Sequence, residues 1–283
     1  MIRSSGGPAE PFFLRVDGGE RFCLFHPAAG PCRGAVLYVH PFAEELNRSR
    51  RMAALQARAL AALGYGVLQI DLHGCGDSEG DFVDARWDSW KRDLDAAASW
   101  LDARVGQPLT VLGLRLGAAL ALDHARSTAR APAALILWQP VLAGHAFMTQ
   151  FLRLRVAGDM LSNGRDARAG TAALRAALAR GETLEVAGYE LHPELMQAID
   201  ALEPSALAPR AIPVRWFEVV AASGRPLAPA TIDIADSWRA AGVTVEIQQV
   251  IGQPFWATQE TSDCPALLTA TCDALLREPA NAL

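Results

Sequence analysis

A doubly wound, mostly parallel α/β sheet carrying a cap insertion is the fold this sequence predicts, on three observations. Short apolar runs recur at 21–26, 35–40, 66–70, 109–114, 134–138, 214–220 and 243–250. Several are apolar throughout rather than alternating, which marks strands buried on both faces, as in a parallel sheet. Segments of helical period lie between most of them, at 47–63, 87–103, 118–126, 232–241 and 259–276, and strands alternating with helices build a doubly wound sheet. A chain of 283 residues that is 51% hydrophobic has enough apolar mass for one large core.

Each element has a local reason. The segment 47–63 repeats apolar residues at helical spacing and stops at Gly64. The segment 87–103 places Trp90, Leu94, Ala97 and Leu101 on one stripe. Between the runs ending at Trp138 and starting at Val214 lie about 75 residues, where a simple βα or αβ loop needs about 2–6. This interval therefore has structure of its own: a helix at 172–178, two short strands around Ala187-Gly188, and a helix at 193–202. The expected division is body at 1–139, cap at 140–210 and body again at 211–283. A cap belongs over the carboxyl edge of the sheet, where ligands of such folds bind.

Composition excludes several classes of function. The net charge of -5, with no block of like charges, gives no reason to expect nucleic acid or a membrane surface. No apolar run approaches the roughly 18 residues of a membrane span. Residues 1–13 carry Ser, Gly, Pro and Glu where a secretory signal has an apolar core. Five cysteines, an odd number without C-x-x-C spacing, suit reduced thiols better than a disulfide framework or a zinc site. The expectation is a cytoplasmic protein with no metal. The glycine-rich segments lack dinucleotide and phosphate-loop spacing, so no cofactor is expected.

The chemistry concentrates at Gly113-Leu114-Arg115-Leu116-Gly117. The glycines have the spacing of a G-x-S-x-G nucleophile elbow, in which a strand turns abruptly into a helix and holds its middle residue strained and exposed. Arg115 stands where the serine belongs, and a guanidinium stays protonated and cannot attack a carbonyl. A serine hydrolase also needs an acid after a late strand and a histidine beyond it. After 214–220 no carboxylate occurs before Asp233, and the last of the six histidines is His192. Gln253, in Gly252-Gln253-Pro254-Phe255-Trp256, stands where the histidine loop belongs.

With these segments, the strand-to-loop stretch Val36–Phe42 and the loop Asp71-Leu72-His73-Gly74-Cys75-Gly76-Asp77-Ser78-Glu79-Gly80, the chain resembles the α/β-hydrolase superfamily. More narrowly, His40-Pro41-Phe42-Ala43-Glu44-Glu45-Leu46-Asn47-Arg48-Ser49-Arg50, the Arg115 elbow and the Gly-x-Pro-Phe-Trp ending resemble the exosortase A system-associated hydrolase 2 family. That resemblance implies a hydrolase label and a setting of exosortase protein sorting and exopolysaccharide production. A label of this kind is not a mechanism.

The groups left at the elbow suggest binding. Arg115 at a helix N-terminus, with the amides of Leu116 and Phe42, would suit a carboxylate, a phosphate or an acyl oxygen. Alternatively, Glu44 or Glu45 neutralises the arginine internally. If the site is live, Arg115 should face a cavity bounded by His40, Phe42, Glu44 and residues 145–151. Asp71, His73 and Asp77 read as loop anchors. Three functions follow as expectations. One is a triad-less hydrolase-fold protein binding a small anionic or acyl ligand, or a protein of the exosortase and exopolysaccharide system. Another is an ester or thioester hydrolase recruiting Cys75 or His40. The third is a structural partner whose pocket Arg115 plugs.

Overall fold

The computed structural model describes residues 7–163 and 170–277. Its eight-stranded sheet runs β1 (Glu10–Val16), β2 (Gly19–His26), β4 (Tyr65–Ile70), β3 (Gly34–Val39), β5 (Leu109–Leu114), β6 (Ala134–Trp138), β9 (Val214–Val220), β10 (Val245–Ile251). From β4 to β10 all neighbours are parallel, and β1 and β2 close one edge antiparallel. This is the expected doubly wound, mostly parallel sheet, with β1 added. The sequence reading passed over that strand because it lies at the sheet edge, keeps Phe13 in solvent and buries only alternate residues. Its anchor is Phe12, stacked on Trp100 at 4.5 Å.

Period-two alternation divides the core between the two faces of the sheet. Leu37, Val39, Val111, Leu135 and Leu137 pack on one side with α2 (Trp87–Val105) and α3 (Leu116–Ser127). Val36, Tyr38, Leu112, Ile136 and Trp138 pack on the other with Met52 and Leu60 of α1 (Glu44–Ala62) and Leu267 of α8 (Pro265–Leu276). Trp138 is fully buried, and its indole N–H donates to Thr271 Oγ1 at 2.9 Å, so the polar end of the ring is satisfied inside the apolar layer. The helix α8 starts at Pro265, the favoured first helical position, rather than at 259. Likewise α7 (Pro229–Ala240) starts at a proline, three residues before the expected 232.

The interval after β6 has structure of its own: α4 (Gly144–Asn163), α5 (Thr171–Ala179), the hairpin β7 (Leu184–Val186) and β8 (Tyr189–Leu191), and α6 (Pro193–Asp200). The sequence reading named no helix at α4, a segment in which the glycines 144 and 158 interrupt the apolar pattern. Aromatic rings join α4 to the loop after β3, with Phe42 against Phe147 and Phe151 at 5.8 and 5.0 Å. Among the described residues no helix is long and apolar enough to cross a membrane.

Candidate functional site

Two helices begin at the carboxyl edge on strained residues. Arg115, between β5 and α3, has φ +56° and ψ -119°, and Ala43, before α1, has φ +48° and ψ -125°. Neither is glycine, and such backbones cost about 1–3 kcal/mol each. The strain at Arg115 is held by its own hydrogen bonds: its N–H donates to Trp138 O at 2.9 Å, and its carbonyl accepts from the amides of Ala118 and Val141 at 3.1 Å. The glycines do the rest. A Cβ on Gly117 would fall against the carbonyl oxygens of Val39 and His40, and one on Gly113 would sit 2.5 Å from Ala118 Cα. The bend expected from the glycine spacing is therefore present, with Arg115 at its apex.

The two helix starts bring Glu45 to Arg115. Arg115 Nε donates to Glu45 Oε1 at 3.2 Å, with 19% of the arginine side chain and 12% of the glutamate exposed. The guanidinium carbon lies 5.5 Å from the centre of the Trp256 ring, within cation–π range. Glu45 is the partner and Glu44 is not, which narrows the expected pair of carboxylates to one. Successive helical residues point about 100° apart, so only one of the two can face the elbow. Glu44 Oε2 and Glu45 Oε2 are both buried without a hydrogen-bond partner. Burial outweighs the attraction of Arg115 and pushes the Glu45 carboxyl up to about 7.

Glu218 is a second carboxylate near the arginine, and the search for an acid after β9 missed it because it lies inside the strand. Trp216 Nε1 and Gln139 Nε2 donate to it at 2.7 and 2.6 Å, and Gln139 Oε1 accepts the Val219 amide at 2.7 Å. Burial raises its carboxyl, opposed by those hydrogen bonds and by the charge of Arg115. A glutamate among the apolar residues Trp216, Phe217, Val219 and Val220 of the strand was the available signal. Gln139, at φ +44° just after β6, braces it and was equally unforeseen.

The remaining candidates are occupied or remote. His40 is 5% exposed, with Nδ1 at 2.7 Å from Pro41 O and Nε2 accepting the Leu72 amide at 3.2 Å. Both ring nitrogens serve the backbone, and burial lowers the pKa, leaving a neutral imidazole without a free nitrogen for a substrate. Cys75 is buried, and desolvation, reinforced by Asp71 and Asp93, raises its thiol far above the thiolate range. Neither supports the recruited-nucleophile expectation. Gln253 is exposed, its carbonyl accepting the Phe255 amide at 2.8 Å. Its neighbours Phe255 and Trp256 turn inward and supply the ring beneath Arg115.

Leu116 is the first residue of α3, so its amide has no carbonyl four residues back. His40, Phe42, Cys75, Trp90, Leu116 and Leu120 line a cleft beside it of about 10 Å³, the room of one water. Arg115 does not border this cleft, which corrects the expectation that it would face a cavity beside His40 and Phe42. A hollow of about 460 Å³ opens between Asn47, Arg50, Asp77, Phe82 and Tyr189. Asp71 fastens the adjoining loop: it accepts from the Asp77 amide at 3.0 Å and from Arg50 at 3.0 and 3.4 Å. These bonds fit the anchoring role expected of Asp71, to which Asp77 contributes its backbone amide. In the same loop, the His73 amide donates to Asp93 at 2.8 Å.

Comparison with known proteins agrees with this architecture. Est1E from Butyrivibrio proteoclasticus, solved with ferulic acid bound, superposes with a TM-score of 0.68 at 16% identity over 95% of this chain and 100% of its own. A highly thermostable carboxyl esterase from Bacillus coagulans gives 0.64 at 12% identity over 95% and 98%. A lidless a/b serine hydrolase from Xanthomonas campestris gives 0.56 at 17% identity over 97% of each chain. At these identities the likeness is one of fold. No curated protein matches the chain. The family model described as serine aminopeptidase, S33, matches residues 30–191, more than half the sequence. The chain therefore belongs to the serine aminopeptidase S33 family, on an α/β-hydrolase fold.

Proposed function

We propose that this protein is a member of its hydrolase family without the standard Ser-His-Asp triad, and that it binds a small anionic or acyl ligand at Arg115 under a cap formed by residues 140–210. One observation carries the reading. Of the guanidinium nitrogens only Nε has a hydrogen-bond partner among the described residues, while the side chain keeps 19% of its surface exposed. A sealed structural plug would use every donor. Around the arginine, Glu45, Glu218 and Trp256 hold the charge in place. The narrower resemblance supports an exosortase and exopolysaccharide setting for the ligand or a protein partner. The free cysteines suit a cytoplasmic location.

Activity measurement tests the triad-less part. A complete triad supplies roughly a millionfold acceleration, so the protein is expected to turn over p-nitrophenyl acetate no faster than a nonspecific surface. Arg115→Ser is expected to stay inactive as well, since a serine without a base is a weak nucleophile. Turnover above about 1 per second, within the ordinary enzyme range, that survives further purification would overturn the reading.

A further inference from the structure

The Arg115 site has an unusual charge balance. Glu45 uses one oxygen on Arg115 and buries the other without a partner. Glu218, close enough to feel the charge of Arg115, is already held by Trp216 and Gln139. An anion reaching the guanidinium would thus meet two carboxylates, one committed to its own donors and one only half engaged. Like charges brought together in a largely buried site repel strongly. The half-engaged group can remove that repulsion by taking a proton, and its idle oxygen then becomes a donor to the incoming anion.

We propose, building on the reading of Arg115 as an anion site, that this site takes a compact monocarboxylate together with one proton, which is received by Glu45. The monoanion follows from charge conservation. One negative charge and one proton enter together, so the net charge of the Arg115, Glu45 and Glu218 cluster is unchanged. A dianion would need a second proton, and Glu218 is already hydrogen-bonded as an acceptor. The groups facing Glu45 are few: Arg115 from the elbow, Tyr38 from β3, and Glu44 and Arg48 from its own helix. Arg115 and Arg48 favour its charge, whereas Glu44 and burial oppose it. Their sum leaves the proton available near neutral pH.

Titration of the intact protein with butyrate by calorimetry, from pH 6 to 9 in two buffers of different ionisation enthalpy, tests this. Butyrate itself stays ionised across the range. Affinity is expected to be level below about pH 7 and to fall about tenfold per pH unit above it, with proton uptake approaching one per ligand. Glu45→Gln, close in shape and uncharged, is expected to bind butyrate with no pH dependence and no proton uptake. Arg115→Met is expected to lose binding. Thermal melts of both variants establish that they fold. Binding that is level in pH, with no proton exchange, would overturn the linkage while leaving the anion site standing. Failure of the folded protein and of Glu45→Gln to bind butyrate at any pH would overturn both.

Discussion

The carboxyl edge of the sheet has two sides whose main buried charges are treated differently; an unpartnered buried atom alone is not the difference, since His73 Nδ1 on the β3–β4 side is one too. On the β3–β4 side, His40 spends both nitrogens on the Pro41 carbonyl and the Leu72 amide. Asp93, with no exposed side-chain surface, takes Arg21 and the His73 amide, each at 2.8 Å. Ser78 bridges the Phe22 amide and the Asp71 carbonyl. On the β5–β9 side, Arg115 keeps donors without partners among the described residues, and Glu45 keeps an idle buried oxygen. Buried polar atoms are normally satisfied, and the exceptions call for a reason. The contrast teaches that similar polar residue types act as scaffold on one side and remain available to a ligand on the other.

The largest expected effect tests the scaffold side. Asp93→Ala removes the carboxylate from a pair in which the Arg21 side chain is only 4% exposed. Breaking such a pair costs about 3–5 kcal/mol, because the remaining charge stays buried and alone. Urea denaturation should show a loss in that range, or a protein that does not fold. A loss below about 1 kcal/mol would mean that this side is as loosely committed as the other.

Legibility in the sequence follows the same division. The sheet was readable because its strands are apolar throughout and its helices periodic, and these patterns are local. The elbow was readable because its two glycines are required by backbone contact with β3 and α3, a demand that leaves a fixed spacing. Glu218 was not, because its role depends on which face of β9 meets Arg115 and on Gln139 reaching across from the end of β6. The choice of Glu45 over Glu44 depends on the angle at which α1 leaves Ala43. Trp256 was visible as part of a motif, whereas its place under the guanidinium required the turn after Gln253. Long-range pairings of this kind leave no period in the chain.

A middle-sized effect tests the open side. In the fold, Glu45 holds its proton up to about pH 7; the ordinary glutamate value of 4.5 applies once the chain unfolds. Between those values the folded state binds more protons than the unfolded one, so stability falls as pH rises through that window. One proton contributes a slope of at most about 1.4 kcal/mol per pH unit. Melting temperatures across pH 4.5–7 should therefore decline less steeply for Glu45→Gln than for the native protein. Asp93 and Glu218, whose carboxyls burial also raises, remain in both proteins and shift both curves alike. Parallel curves would place Glu45 with the satisfied groups.

The smallest effect concerns Cys75, which borders the cleft beside the elbow yet packs as part of the core. Alkylation needs the thiolate and a path to it, and Cys75 lacks both: it is buried, and desolvation with Asp71 and Asp93 nearby raises its thiol. Cys32 in the same chain is exposed and serves as an internal control. Iodoacetamide at pH 8, followed by peptide mass spectrometry, is expected to label Cys32 and leave Cys75 untouched while the protein stays folded. In urea the two should label alike, because the difference belongs to the fold and not to the residues. Rapid labelling of Cys75 in the native protein would show that the scaffold side opens to solvent. The two sides of the edge would then differ less than their hydrogen bonds imply.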